Sequence, residues 1–231
     1  MPNGEAKASG CTASGCKDRI SRRGRPVQMD HAQRETMVLD AAAHLLTEKP
    51  LDEVTMSAIA RRVRMSKRTV DTLFSSREAL LGACLARVGA SLFRPLEPED
   101  HSKPLSDRLR KLLTVNRVPF LQAAPLEILR VVIAQAHTYP DLARNMTREG
   151  HDKLVQQVAR ELLAAERSGE VSLGATRADE AAELLVDMIF GGAVRYLLDP
   201  SRTMICEEDK AARRDCAISI FMRGLACKAR G

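Results

Sequence analysis

Lys67, Arg68 and Thr69 follow directly on Ser66, an order that sets two cations and a hydroxyl at the opening turn of a helix. Such side chains can donate to guanine O6 and N7 in a major groove, or to phosphate oxygens along its edge. Around them, the stretch 61–77 holds six cations (Arg61, Arg62, Arg64, Lys67, Arg68 and Arg77) against one acid, Asp71. The chemistry this composition favours is recognition of a polyanion. Catalysis has no comparable signature. The chain has no GxSxG, HExxH, phosphate-cradling glycine loop or dinucleotide fingerprint, and its five histidines are scattered.

Two short helices joined by a tight turn would position those side chains. Val54, Ile59 and Val63 recur at roughly helical spacing behind Thr55, which stands as an N-cap. Arg64 and Met65 form the break, and Ser66 caps a second helix that buries Val70 and Phe74. This is the layout of a helix-turn-helix reader of duplex DNA. Lys67, Arg68 and Thr69, with Ser66 and Thr72 on the same short helix, are the candidates for the groove. Thr55, Arg61, Arg62 and Arg77 are placed for phosphates. For Arg61 and Arg62 a solvated helix face is the competing reading.

The whole chain is 231 residues long with a formal net charge of +6, a 45% hydrophobic content and only 3% aromatic residues. Few bulky β-formers and many Ala, Leu, Arg and Glu favour helices. No apolar leader and no run of membrane-spanning length occur, so a cytoplasmic protein without membrane contact is expected. In that compartment the six cysteines would be mostly reduced. No CxxC pair or nearby paired histidines suggest a zinc site, and no cofactor is expected. Cys11 and Cys16 read as adventitious thiols or a redox switch.

Ahead of the reader, 1–29 is rich in Gly, Ser, Lys and Arg and reads as a disordered basic arm. Its Arg22-Arg23-Gly24-Arg25-Pro26 core resembles an AT-hook, with Arg23 and Arg25 inserting into a narrow A·T minor groove. A solvated tail adding non-specific affinity is the alternative. Helical stripes are predicted over 30–48, 76–93, 126–137, 149–167, 178–198 and 213–227, with 95–104 a proline-rich joint and Leu105, Leu109, Leu112 and Leu113 one further stripe. No strand pattern or repeat appears. The fold class is all-α.

Thr55, Ile59-Ala60, Ser66-Lys67, Phe74 and Arg77-Glu78-Ala79-Leu80 together resemble the TetR family of one-component bacterial transcriptional regulators. The resemblance runs from the first helix to the start of the fourth and is weaker beyond, where Tyr139-Pro140-Asp141-Leu142 is similar to a joint in some members' effector domains. It implies an N-terminal three-helix DNA-binding domain over 30–77, a connecting helix and linker over 78–104, and a helical ligand-binding and dimerisation domain over 105–231. Two positions depart from the pattern. Arg64 stands where glycine is common, and a non-Gly residue at positive φ costs on the order of 1–2 kcal/mol. Asp71 replaces the usual Tyr, a phosphate contact in relatives; it can accept from a cytosine amino group or, the favoured reading, pair with Lys67 or Arg68.

The function implied is a repressor that binds a palindromic operator as a homodimer and is released by a small molecule. The stripes 178–198 and 213–227 are apolar enough to pair across a dimer axis, with Gly191, Gly192 and Ala193 allowing close approach, unless both are buried within one subunit. The pocket implied by the resemblance has Phe120, Ile133, His137, Tyr139, Met146, Met188 and Tyr196 as candidate liners. An aliphatic, Met-containing interior points to an apolar effector. Two other readings compete: a helical hydrophobe-binding protein without DNA recognition, and a basic protein that binds DNA without sequence choice.

Overall fold

The computed structural model describes residues 29–116, 125–199 and 207–225. Helix α1 (His31–Glu48) opens with a reciprocal capping box, in which the Asp30 carboxylate accepts from the Gln33 backbone while the Gln33 side chain accepts from Asp30. It ends at the Lys49-Pro50 step, where the residue before proline is driven to an extended conformation. A one-turn 3₁₀ segment (Leu51–Glu53) leads into α2 (Met56–Arg62), α3 (Lys67–Leu73) and α4 (Arg77–Leu92). Each of these three helices starts at a hydroxyl cap: Thr55 accepts from Ala58, Ser66 from Thr69 and Ser76 from Ala79. Between α2 and α3 the chain turns at Arg64, which adopts φ 55°, so the left-handed conformation usually given to glycine is held here by a cation.

Helix α5 (Leu105–Leu112), α6 (Pro125–Gln135), α7 (Pro140–Thr147), α8 (Lys153–Arg167), α9 (Ala178–Phe190), α10 (Ala193–Leu198) and α11 (Glu207–Leu225) complete an all-α chain with no strand among the described residues. Four elements differ from the sequence expectation, the first being α7, which none of the predicted stripes includes. The stripe 178–198 is two helices, because Gly191 and Gly192 each cost helix stability and together interrupt it. The last helix is already formed at Glu207, six residues before its apolar stripe. The stripe 149–167 does not open as an α-helix: a π-turn (Arg148–Asp152) joins α7 to α8, which starts at Lys153. The 95–104 joint is also more ordered than a linker. Within its 3₁₀ turn (Pro98–Ser102), Asp100 is 1% exposed and accepts from Lys103, Lys111 and the Glu97 backbone.

Apolar packing forms two cores. In the first, Val38, Leu45, Ile59, Val70, Phe74, Leu80 and Leu81 are joined by Ile128 and Val132 of α6 and Leu142 of α7. Each such buried side chain contributes about 1.5–3 kcal/mol, so α6 and α7 share their apolar core with the reader helices and α4. The second core gathers α5, α8, α9 and α11 through Leu109, Leu112, Leu162, Leu185 and Ile218. Helix α4 runs between the two. Its Gly89 lies against Gly150 of the π-turn, where a Cβ would come within 3.0 Å of the Gly150 and Met146 backbones, and past its end Phe93 meets Phe190 edge-on at 5.4 Å.

Candidate nucleic-acid interface

The exposed face of α2 and α3 carries Thr55, Arg61, Arg62, Arg64, Ser66, Lys67, Arg68 and Thr72, with Thr69 half-buried. Lys67 and Arg68 are both exposed, whereas α3 meets the core through the buried Val70 and the partly buried Leu73. The hydroxyls are partly spoken for: Ser66 and Thr69 share a 2.8 Å hydrogen bond, and Thr72 donates to the Arg68 carbonyl at 2.7 Å.

The cations fall into two groups by their partners. Arg62 donates through two parallel hydrogen bonds, at 2.7 and 2.8 Å, to Glu48 at the end of α1. The hydrogen bond to Arg62 holds the Glu48 carboxyl below its ordinary range and raises the guanidinium in turn. Lys67 reaches Asp71 one turn along, at 3.2 Å, which is the intrahelical pairing favoured for the departure at Asp71. By contrast, the side chains of Arg61, Arg64 and Arg68 have no hydrogen bond or ion pair with any described residue.

Arg77 departs from the expectation of a phosphate contact. Its guanidinium is turned inward, only 18% exposed, and donates from Nε to the Val54 carbonyl at 2.8 Å and from Nη2 to the Leu51 carbonyl. Nη1 lies 3.4 Å from the Tyr139 hydroxyl, and the guanidinium carbon sits 5.7 Å from the centre of that ring.

One pair of residues was not singled out by the sequence. His31 and Arg34, on the first turn of α1, line a groove of about 270 Å³ with Ser66, Arg68, Thr69, Thr72 and Leu73. The Arg34 side chain also has no described partner. Nothing local marks these two residues: they join α3 only through the packing of α1 across it. Arg23 and Arg25 lie outside the described residues, as do Cys11 and Cys16.

The candidate effector liners do not converge. Phe120 lies outside the described residues. Ile133, 55% exposed, and His137 face outward. Tyr139 and Met146 pack on the first core and Met188 on the second, while the backbone of Tyr196, with that of Leu197, accepts from Arg130. Tyr139 does border an apolar crevice with Leu46, Leu51, Leu85, Val131, Val132, Gln135 and Leu142, but its volume is about 10 Å³, room for about one water. Cys84, packed in the first core with its thiol pushed up to about 12 by burial, is unsuited to thiolate chemistry.

A capped helix-turn-helix with exposed, unpartnered arginines, set on a larger helical body, defines a DNA-binding regulator. Comparison with known proteins agrees. The family model described as bacterial regulatory proteins, tetR family, matches residues 38–84, and that described as AefR-like transcriptional repressor, C-terminal domain, matches residues 108–224. The chain belongs to the TetR family of transcriptional regulators, which are not enzymes. It is 25% identical over 169 residues to the HTH-type transcriptional regulator UidR of Escherichia coli strain K12, covering 71% of this chain and 84% of that one. Among solved structures, it is similar to the flavonoid-responsive regulator FrrA (TM-score 0.65, 20% identity, 86% of this chain and 100% of that one). A TetR transcriptional regulator from Agrobacterium tumefaciens has a TM-score of 0.59 and 25% identity, over 82% of this chain and 93% of that one. No helix among the described residues is long and apolar enough to cross a membrane.

Proposed function

We propose that this regulator is a repressor that reads a palindromic operator as a homodimer and is released by a small apolar effector. The observation that carries the reading is the outward, unpartnered Arg68 at the first turn of α3, next to Lys67 and Thr69. From the groove, Arg68 donates to guanine O6 and N7, the commonest specific contact. Arg61, Arg64, Thr55 and the His31–Arg34 groove take backbone phosphates, and Arg23 and Arg25 of the arm enter the adjoining minor groove.

Dimerisation is supported by apolar side chains left open on the last long helices. Leu184 of α9 is 61% exposed and Ile220 of α11 is 56% exposed, and on α11 Ala212, Cys216 and Ser219 add small residues to the same open side. Such a face is costly in water and suits a partner helix. Two readers on one two-fold axis then match two half-sites.

For release, the effector must favour a conformation that binds DNA less well, and its leverage equals its difference in affinity for the two states. The 10 Å³ crevice beside Tyr139 means that an effector larger than water binds only as α6 and α7 move relative to α1 and α4. Selection of bound duplexes from a random pool, followed by titration at physiological salt, tests the reading. An enriched palindrome bound at least tenfold tighter than random duplex is expected. Enrichment of no sequence would leave the protein a non-specific binder, and no retardation at all would leave a hydrophobe carrier.

A further inference from the structure

The basic residue at the start of α4 belongs, by its position, with the phosphate-contacting cations, yet Arg77 is held inside. Three parts of the molecule meet at its side chain. Ser76 caps the helix so that Arg77 occupies the first turn of α4. Its Nε and Nη2 are received by the carbonyls of Val54 and Leu51, which bound the turn that delivers the chain into α2. Its guanidinium carbon lies 5.7 Å from the ring centre of Tyr139, the residue just ahead of α7 in the α6–α7 connection, and Nη1 lies 3.4 Å from the hydroxyl.

Tyr139 is itself fixed. Its backbone N–H donates to Gln135 of α6 at 2.8 Å, its carbonyl receives Leu142 of α7, and its ring borders the crevice shared with Leu46 and Leu51. Leu51 therefore contributes a carbonyl to Arg77 and a side chain to the wall beside Tyr139. A guanidinium can do this because its five donors fan out in fixed directions around a delocalised charge, so two carbonyls and an aromatic ring are met by one side chain; an ammonium offers no such fork.

We infer that Arg77 is a positioning residue for DNA reading: clamped between the Leu51–Val54 carbonyls and Tyr139, it sets the angle of the reader helices against α6 and α7, and with it the half-site spacing that the dimer accepts. The inference rests on the dimeric reading of two half-sites proposed above. Base choice within a half-site belongs to α3 side chains that Arg77 does not touch. Distance between half-sites belongs to the angle at which each reader leaves the dimer body. The clamp acts on the second and not on the first.

The test compares the full-length protein with Arg77→Lys, Tyr139→Leu and Tyr139→Phe on duplexes carrying the selected half-sites at the preferred spacing and at one base pair more or less, with single-base changes inside a half-site as the control. For Arg77→Lys and Tyr139→Leu, the affinity ratio between preferred and altered spacing is expected to fall at least threefold, with base preference within twofold of wild type. Tyr139→Phe keeps the ring beside the guanidinium and is expected to retain most of the ratio. If Arg77→Lys does not fold, Tyr139→Leu decides alone, because it leaves both carbonyl bonds to Arg77 in place. A spacing ratio unchanged in Tyr139→Leu overturns the inference, as does a uniform loss in Arg77→Lys with none in Tyr139→Leu, the pattern of a plain phosphate contact. Wild-type protein that binds single half-sites as tightly as paired ones overturns the dimeric reading and this inference with it.

Discussion

Arg62 and Glu48 join the ends of α2 and α1 through two parallel hydrogen bonds across fourteen residues of sequence. Both side chains are nearly half exposed, so the pair is formed in water and does little for stability. Its consequence is for charge: a cation that could neutralise a phosphate is already neutralised.

Glu48→Gln is therefore expected to release Arg62 toward the duplex. A plot of log affinity against log salt should steepen by about 0.9, the contribution of one added phosphate contact. Anisotropy titrations between low and physiological salt read the slope; an unchanged slope would mean that Arg62 lies out of reach of the backbone.

Arg68, in the first turn of α3, has no partner among the described residues and is the proposed groove contact. Arg68→Ala should relax preference at one base pair of each half-site, at a cost of about 1–3 kcal/mol there. Competition with single-base operator variants measures it. Equal weakening on every sequence would make Arg68 a backbone contact.

Arg64 holds φ 55° between the two helices. Arg64→Gly removes the clash of a Cβ in the left-handed region and should stabilise the fold by about 1 kcal/mol, while lowering the salt slope by about 0.9. Thermal melts and salt titrations of the same variant test both signs. A variant that gains stability and keeps its slope would separate the strain from any role in binding.

Leu184 and Ile220 stand open on α9 and α11. In the proposed dimer each would be buried twice, so a charge at either position is expected to remove about 3 kcal/mol or more of association energy. Leu184→Asp and Ile220→Asp should shift sedimentation to the monomer without loss of helicity. Dimers that persist in both variants would place the interface elsewhere.

Asp100 is buried in the α4–α5 joint, and hydrogen bonds from Lys103 and Lys111 and from the Glu97 backbone hold its carboxyl well below the usual carboxylate range. A folded-state value below the unfolded one, about 3.9, means that the cluster stabilises fully above that pH. The contribution is lost as pH falls below it toward the depressed folded value. Melting temperature should therefore drop more steeply for wild type than for Asp100→Asn between pH 5 and 2, with the variant lower at pH 7. Parallel curves would remove the cluster from the acid limb.

Much of the reader was legible because its determinants are local. A hydroxyl cap acts on a backbone N–H three residues away, as Thr55, Ser66 and Ser76 do, and a one-turn pair such as Lys67–Asp71 is set by helical pitch. The helix class and the position of the turn follow from spacing, while the strain at Arg64 follows from the resemblance, in which glycine is common at that position. Helical residues outside a stripe, as over 207–212, and the break at Gly191–Gly192 were less readable because apolar periodicity is silent there.

Tertiary structure decided which cations remain free. Glu48 neutralises Arg62 from another helix, and Arg77 is drawn inward by Leu51, Val54 and a tyrosine sixty-two residues away, while Arg61, Arg64 and Arg68 meet no described partner. It also decided that α6 and α7 share a core with the reader, and that His31 and Arg34 border α3. These relationships join residues far apart in the chain, where no periodicity or cap carries information; only the folded path brings donor to acceptor within 3 Å or so, and at that range a partner outcompetes solvent for the charge.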